Sequence, residues 1–186
     1  DYVVHGSVLL PGTAFLELAV RAGDQVGCDL VDELTLEAPL VVPEHGAVRV
    51  QVWVGAEDES GSRELTLYSS TGDTDDDRPW TRHATGVLRA AGRSDATSLV
   101  EWPPASAKVV DLAGFYDRAA DVGLGYGPVF QGLRAVWRRG DEVFAEVVLP
   151  EEAGADGFGL HPALLDAALH AISLSGGADE AGQVPF

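Results

Sequence analysis

The sequence predicts an α+β fold in which antiparallel sheet wraps on a central helix, an arrangement made twice along the chain. Three observations carry this. Val48, Val50, Val52 and Val54 alternate with other residues, the period-two pattern of a half-buried strand. The segment "TAFLELAVRAG" puts Ala14, Phe15, Leu18 and Ala19 on one helical face, with Gly23 near its end. The order strand-then-helix returns at "HPALLDAALHAISL" (161–174), with no obvious sequence repeat beneath it.

Each element follows in order. "DYVVHGSVLLPGT" opens with a strand-like run, Tyr2 to Leu10, that feeds Pro11-Gly12 and the first helix. Strand-like runs then cover Val31 to Leu36, 48–56, 63–70 and 80–90. The acidic stretch "TGDTDDDRP" (71–79) lacks the spaced ligands and closing Glu of a calcium-binding EF-hand, so it reads as a solvated hairpin tip. Residues 91–108, rich in Pro, Ser and Ala, read as a linker. Beyond it, 109–123 looks helical, "GYGPVFQGL" (125–133) is a glycine-rich turn entering a strand, and 133–150 is a hairpin turning near Gly140-Asp141. A loop leads to the helix at 161–174, with Pro162 in its first turn.

The 186 residues are 46% hydrophobic and 23% charged, a globular balance able to bury a core. A net charge of −18 argues against nucleic acid or an anionic membrane as partner. The single cysteine, Cys28, allows neither an internal disulfide nor a cysteine cluster for zinc. With no long apolar run and no basic-then-apolar leader, the expected location is the cytoplasm.

Two places could carry chemistry. Asp166 and His170 are four apart on one helix and share a face, with Leu164, Leu165, Ala168, Leu169 and Ile172 as the expected apolar surround. The spacing admits an ordinary ion pair on a wet edge. It equally admits a carboxyl group in an apolar slot, its pKa raised, acting as a general acid that the histidine orients. At Pro11-Gly12, free N–H groups at a helix start could stabilise a carbonyl that gains negative charge, with Gly12 allowing close approach. An ordinary strand-to-helix turn would use the same two residues.

The spacing Tyr2-x3-Gly6-x4-Pro11-Gly12, the "GYGPVFQGL" turn and "HPALLDAALHA", in that order, resemble the dehydratase domain of modular polyketide synthases over essentially the whole chain. The resemblance implies a double hotdog, each half a curved antiparallel sheet around a long helix: residues 1–90, a linker at 91–108, and 109–186. It implies removal of water from a β-hydroxyacyl group on acyl carrier protein, leaving an α,β-unsaturated thioester. No metal or redox cofactor is expected; the substrate arrives on the carrier's phosphopantetheine arm. Neighbouring synthase domains are expected partners, and a homodimer is compatible with the family.

Carried over residue by residue, Asp166 matches the catalytic aspartate that protonates the leaving hydroxyl, and His170 the Gln/His position that holds it. Tyr126 and Gly127 match the substrate-contacting turn. Gly6, Pro11 and Gly12 match the first motif, and Pro162 joins this substrate-contacting set. The departure is at Tyr2, where the family has the histidine that takes the α-proton. A phenol with pKa about 10 is ionised in only about one molecule in a thousand at pH 7, and losing a positioned base costs about 10²–10⁴ in rate. His5 is three residues on, and in a strand it would face away from Tyr2, Val4 and Gly6 unless a bulge re-aimed it.

The expectation is therefore an impaired or repurposed dehydratase. The alternative is a non-catalytic module that keeps the fold to hold its neighbours or a carrier. The chain also begins one residue before the catalytic position and stops soon after the second helix, so it reads as a fragment with unpaired sheet edges. For a chain this acidic, carrier docking is expected to use a local Arg cluster: Arg134, Arg138 and Arg139.

Overall fold

The computed structural model describes residues 1–71, 79–90 and 101–174. Most of the acidic tip, most of the expected linker and the C-terminal "QVPF" lie outside the described residues. In chain order the elements are β1 (Tyr2–Val4), β2 (Ser7–Val8), α1 (Gly12–Val26), β3 (Leu30–Leu36), β4 (Val48–Glu57), β5 (Ser62–Thr71) and β6 (Thr81–Arg89). Then come β7 (Lys108–Val110), α2 (Phe115–Asp121), β8 (Leu124–Tyr126), β9 (Leu133–Arg139), β10 (Glu142–Val147) and α3 (Pro162–His170). The described residues form two units: 6–71, 79–90 and 158–160 in one; 1–5, 101–157 and 161–174 in the other.

The first unit is α1 against a four-stranded antiparallel sheet in the order β3-β6-β5-β4. Phe15 and Ala19 of α1 pack with Leu65, Leu67, Ala84 and Leu88 of the two central strands. Burying each large apolar side chain here stabilises by roughly 1.5–3 kcal/mol. Of the four alternating valines, Val48, Val52 and Val54 reach this core, whereas Val50 is 43% exposed on the edge strand. The helix does not stop near Gly23 but runs to Val26, ending at Gly27 in the left-handed conformation (φ 75°). Cys28 N–H then bonds back to Gly23 O at 2.9 Å, closing a Schellman cap. Gly23 is required for a different reason: a Cβ there would strike the Cys28 carbonyl.

In the second unit β7, β9 and β10 form an antiparallel sheet in the order β10-β9-β7, and β1 pairs separately with β8. Leu133, Val136 and Ala171 are its buried apolar core, with Val110, Phe115, Tyr116 and Val143 packed around them. The hairpin turns at Gly140-Asp141 as expected, with Arg139 opposite Glu142. Two expectations need correction. Residues 109–123 are not one helix: Lys108–Val110 form a strand on β9, and the helix starts only at Phe115, after an Asp111 turn in which Ala113 N–H bonds Oδ1 at 2.9 Å. The glycine-rich segment is not all turn either, since Leu124–Tyr126 is a strand.

The opening run, Tyr2 to Leu10, is not one strand. It breaks at His5-Gly6, where both residues have positive φ (47° and 84°). His5 therefore lies on an exposed turn, its N–H bonded to Gly123 O at 2.8 Å and its ring against Gly123. Strand alternation does not decide where His5 goes; the turn does.

Candidate active site

The site is built on α3. His161 caps it, its Nδ1 accepting the Ala163 N–H at 3.2 Å, and Pro162 pre-sets the first helical φ. Ala163, Asp166, Ala167 and His170 are buried, so they form the inner face. Leu169 and Ile172 are 38% and 50% exposed and are not part of the expected apolar surround; small alanines flank Asp166 instead. Asp166 and His170 are only 7% and 5% exposed, which removes the wet-edge alternative.

Aromatic rings take the space the alanines leave. The His170 ring lies 4.3 Å from that of Tyr126, 5.7 Å from Tyr116 and 6.0 Å from Phe115. Tyr2, opposite Tyr126 in the β1–β8 register, has its ring 5.7 Å from both Tyr126 and Phe130. Gly127 makes this pairing possible: its N–H bonds Asp1 O at 2.8 Å, and a Cβ would come within 2.6 Å of Asp1 N. Gln131 fastens the turn by donating from Nε2 to Tyr126 O at 2.8 Å.

The polar groups form a chain. Leu133 N–H donates to Tyr116 Oη at 3.1 Å, which leaves the phenol proton for His170 Nδ1 at 3.5 Å, a long contact. With Nδ1 accepting, the ring proton is on Nε2, 3.0 Å from Asp166 Oδ2. Near as they are, these two buried atoms are misaligned, and neither completes a hydrogen bond.

Burial, followed by the negative charge of Asp166, raises the Tyr2 phenol above its ordinary value. Tyr126 is pushed further up, by burial first, then by Tyr2, Asp166 and Tyr116. Tyr116 is raised by burial, partly offset by the Leu133 N–H and Arg134. All three phenols are therefore neutral donors at pH 7 around one carboxyl group.

Of the residues singled out from the sequence, Tyr2, Tyr126, Gly127, Pro162, Asp166 and His170 belong to this unit; Gly6, Pro11 and Gly12 belong to the unit of α1. Pro11 is the N-cap of α1 with no side-chain bond to the free N–H groups, and a Cβ on Gly12 would come within 2.8 Å of Leu36 Cδ1. Tyr116, Phe115 and Phe130 were missed; the adjacent Phe-Tyr pair ahead of "DRAADVG" was the available signal. Among the described residues no group of His, Cys, Asp and Glu is placed to hold a metal ion. Nor, among those residues, is any helix long and apolar enough to cross a membrane.

Known proteins resemble the chain throughout. A family model described as polyketide synthase dehydratase domain matches residues 1–70, and one described as polyketide synthase dehydratase N-terminal domain matches 94–186. The pikromycin polyketide synthase component PikAII of Streptomyces venezuelae is 62% identical over 95% of this chain and 5% of its own length. A chain from structural work on dehydratase substrate selection for the borrelidin and fluvirucin polyketide synthases is 53% identical, with a TM-score of 0.89 over 97% of this chain and 64% of that one. Two inactive mutants of the CurK dehydratase, one with a histidine replaced by phenylalanine and one with an aspartate replaced by asparagine, are each 29% identical with a TM-score of 0.79, over 94% of this chain and 62% of theirs. The chain thus spans a small part of the curated synthases and just under two thirds of these solved dehydratases. Its α+β fold is the double hotdog of these neighbours, and the chain belongs to the dehydratase domains of modular type I polyketide synthases.

Proposed function

We propose that this domain binds a β-hydroxyacyl thioester, carried on the phosphopantetheine arm of an acyl carrier protein, and eliminates water from it slowly. In the unimpaired reaction a base takes the α-proton, the electron pair forms the α,β double bond, and the β-hydroxyl leaves as water with a proton from the acid. Asp166 is the acid in this reading, and His170 holds it. Tyr2 occupies the place of the base. Its phenol is neutral at pH 7: burial opposes ionisation, and Asp166 opposes it further whenever it is itself ionised. Tyr2 can donate a hydrogen bond, and it accepts the α-proton only in its rare phenolate form, which is why the elimination is slow.

The observation that carries this reading is the chain of contacts from Tyr2 to the buried acid: the Tyr2 ring lies 5.7 Å from Tyr126, Tyr126 4.3 Å from His170, and His170 Nε2 3.0 Å from Asp166 Oδ2. The CurK mutants support it, since loss of one histidine or one aspartate inactivates that enzyme. The two halves proposed from sequence, 1–90 and 109–186, are compatible with this site if the first lends β1 to the second. Gly6, Pro11 and Gly12 are proposed to receive the thioester carbonyl, and Arg134 and Arg138, both exposed, to receive the carrier. Arg139 is already engaged by Glu142 at 2.9 Å and by the Phe144 ring.

The test is the complete domain with carrier-bound β-hydroxyacyl substrate, followed by mass as water is lost. Tyr2→His supplies a base of pKa near 6.5 and is expected to raise the rate by about 10²–10⁴. No gain, in a folded protein that still binds substrate, would leave the non-catalytic holding role as the function.

A further inference from the structure

The dehydration chemistry gives tasks to Asp166, His170 and Tyr2 and none to Tyr116, yet the Tyr116 hydroxyl links the backbone to His170. The Tyr116 ring is half-buried on α2, with the ring of Phe115 at 5.1 Å, the imidazole of His170 at 5.7 Å and the ring of Tyr126 at 5.8 Å. All three meet it edge to face, and together they fix where its oxygen sits. Leu133 opens β9 opposite Val147, beside the register shift between Glu146 and Val147. Its N–H, which can only donate, ends on Tyr116 Oη at 3.1 Å. His170 Nδ1 is 3.5 Å from the same oxygen. Tyr116, Leu133, His170 and Asp166 all belong to one unit.

A neutral imidazole carries one proton, and the bond made by one nitrogen decides the state of the other. Two arrangements satisfy the line from Tyr116 through His170 to Asp166. In the first, the phenol donates to Nδ1, and Nε2–H points toward Asp166 Oδ2, 3.0 Å away. In the second, Nδ1–H donates to the phenol oxygen, and a bare Nε2 accepts a hydrogen bond from the acid proton of Asp166. The second arrangement ties that proton to His170, where it cannot reach a leaving hydroxyl. It also asks Tyr116 Oη to accept two N–H groups and to turn its own proton away from both. Leu133 already fills one acceptor position, which favours the first arrangement. The contact of Nε2 with Oδ2 is misaligned and selects between the two only weakly. We infer that Tyr116 is a positioning residue: held by the Leu133 amide, its hydroxyl fixes His170 as the Nε2–H tautomer and keeps the proton of Asp166 available to the substrate. This rests on the reading of Asp166 as the acid, but its first readout does not need dehydration.

The test uses the full chain labelled with ¹⁵N-histidine, the His170 signals being identified by their absence from the His170→Gln spectrum. On the neutral plateau of its own titration, His170 is expected as a single Nε2–H tautomer. Tyr116→Phe keeps the ring and removes the hydroxyl. It is expected to turn this signature into a mixture of both tautomers and to speed hydrogen exchange at the Leu133 amide by about ten- to a hundredfold. In the Tyr2→His chain it is expected to lower kcat for dehydration by about two- to tenfold, the worth of one neutral hydrogen bond, with KM unchanged. An Nδ1–H tautomer in the unaltered chain would overturn the inference. So would a tautomer that Tyr116→Phe leaves unmoved; faster Leu133 exchange would then mark Tyr116 as a cap for that amide and nothing more. Restored dehydration that keeps its full rate in Tyr116→Phe would overturn it too. If Tyr116→Phe does not fold, a ring-fluorinated tyrosine at this position strengthens the donor and keeps its shape. The Nδ1 signal should then move, and a stationary signal counts against the inference in the same way. Should the dehydratase reading itself be wrong, the tautomer signals still behave as stated, and only the turnover arm is silent.

Discussion

Glu17 on α1 and Asp166 on α3 are buried to nearly the same degree, 6% and 7% exposed. Both oxygens of Glu17 accept backbone N–H groups, and a guanidinium stands beside it. Asp166 has three neutral phenols and an imidazole around it, yet its Oδ2 completes no hydrogen bond. Saturating a buried carboxylate stabilises the fold; leaving one of its oxygens unsatisfied sacrifices stability and keeps that oxygen free for another group. The two helices thus carry two buried carboxylates in different surroundings, one saturated by backbone N–H groups and one whose Oδ2 has only a misaligned imidazole at 3.0 Å.

The sharpest way to break that comparison is at Asp166. In the Tyr2→His chain, Asp166→Asn is expected to abolish the restored dehydration, a fall of about 10²–10⁴, while urea unfolding moves by less than about 1 kcal/mol, because the contact of Oδ2 with His170 Nε2 is misaligned and an amide of the same shape fills the same space. Glu17→Ala should do the reverse for stability. It strands two N–H groups, and a cost of about 2–4 kcal/mol is expected in the same unfolding measurement. An equal cost at both positions would erase the distinction.

A pH titration sharpens the comparison from the other side. Tyr2, Tyr116 and Tyr126 are all raised in the folded chain. The unfolded chain releases phenol protons near pH 10 and the folded chain only above that, so the unfolded state holds fewer protons there. Their contribution is complete below about pH 10 and is lost as pH climbs toward the folded values. Unfolding measured from pH 8 to 12 should show this alkaline loss, and Tyr126→Phe should flatten it most. The smallest effect is expected on the surface. Arg134→Glu with Arg138→Glu should slow turnover of carrier-bound substrate by about two- to tenfold and leave a small thioester analogue unaffected. Equal loss on both substrates would place the carrier elsewhere.

Much of the fold was legible because it is local. The strands at β4, β5 and β6 follow from alternation, and the Gly140-Asp141 hairpin from its turn residues. Asp166 and His170 were legible from spacing and from the motif around them. The break at His5-Gly6 was signalled by Gly6, but the apolar residues on either side hid it; histidine, too, enters the left-handed region more readily than most residues. Val109-Val110 looked like the start of a helix because the apolar residues run on through Leu112 and Ala113; Gly114, in the left-handed conformation (φ 66°) just before α2, was the breaker that marked the true start. Tyr116 was hidden because its partner His170 is 54 residues away, and Glu17 because its partner Gly159 is 142 away. No local pattern reports a bond of that span.

The β1–β8 ladder has a consequence for anyone recombining synthases. Tyr2, Val3 and Val4 are register partners of Tyr126, Gly125 and Leu124. A crossover placed in the stretch around residues 91–108 would take these two strands from different parents. The hybrid would inherit each motif intact and still mismatch their side chains, because the residue at position 2 must pack on the rings of Tyr126 and Phe130, each 5.7 Å from Tyr2 here. Donor segments 1–5 and 124–131 therefore travel as one genetic unit, although more than a hundred residues separate them.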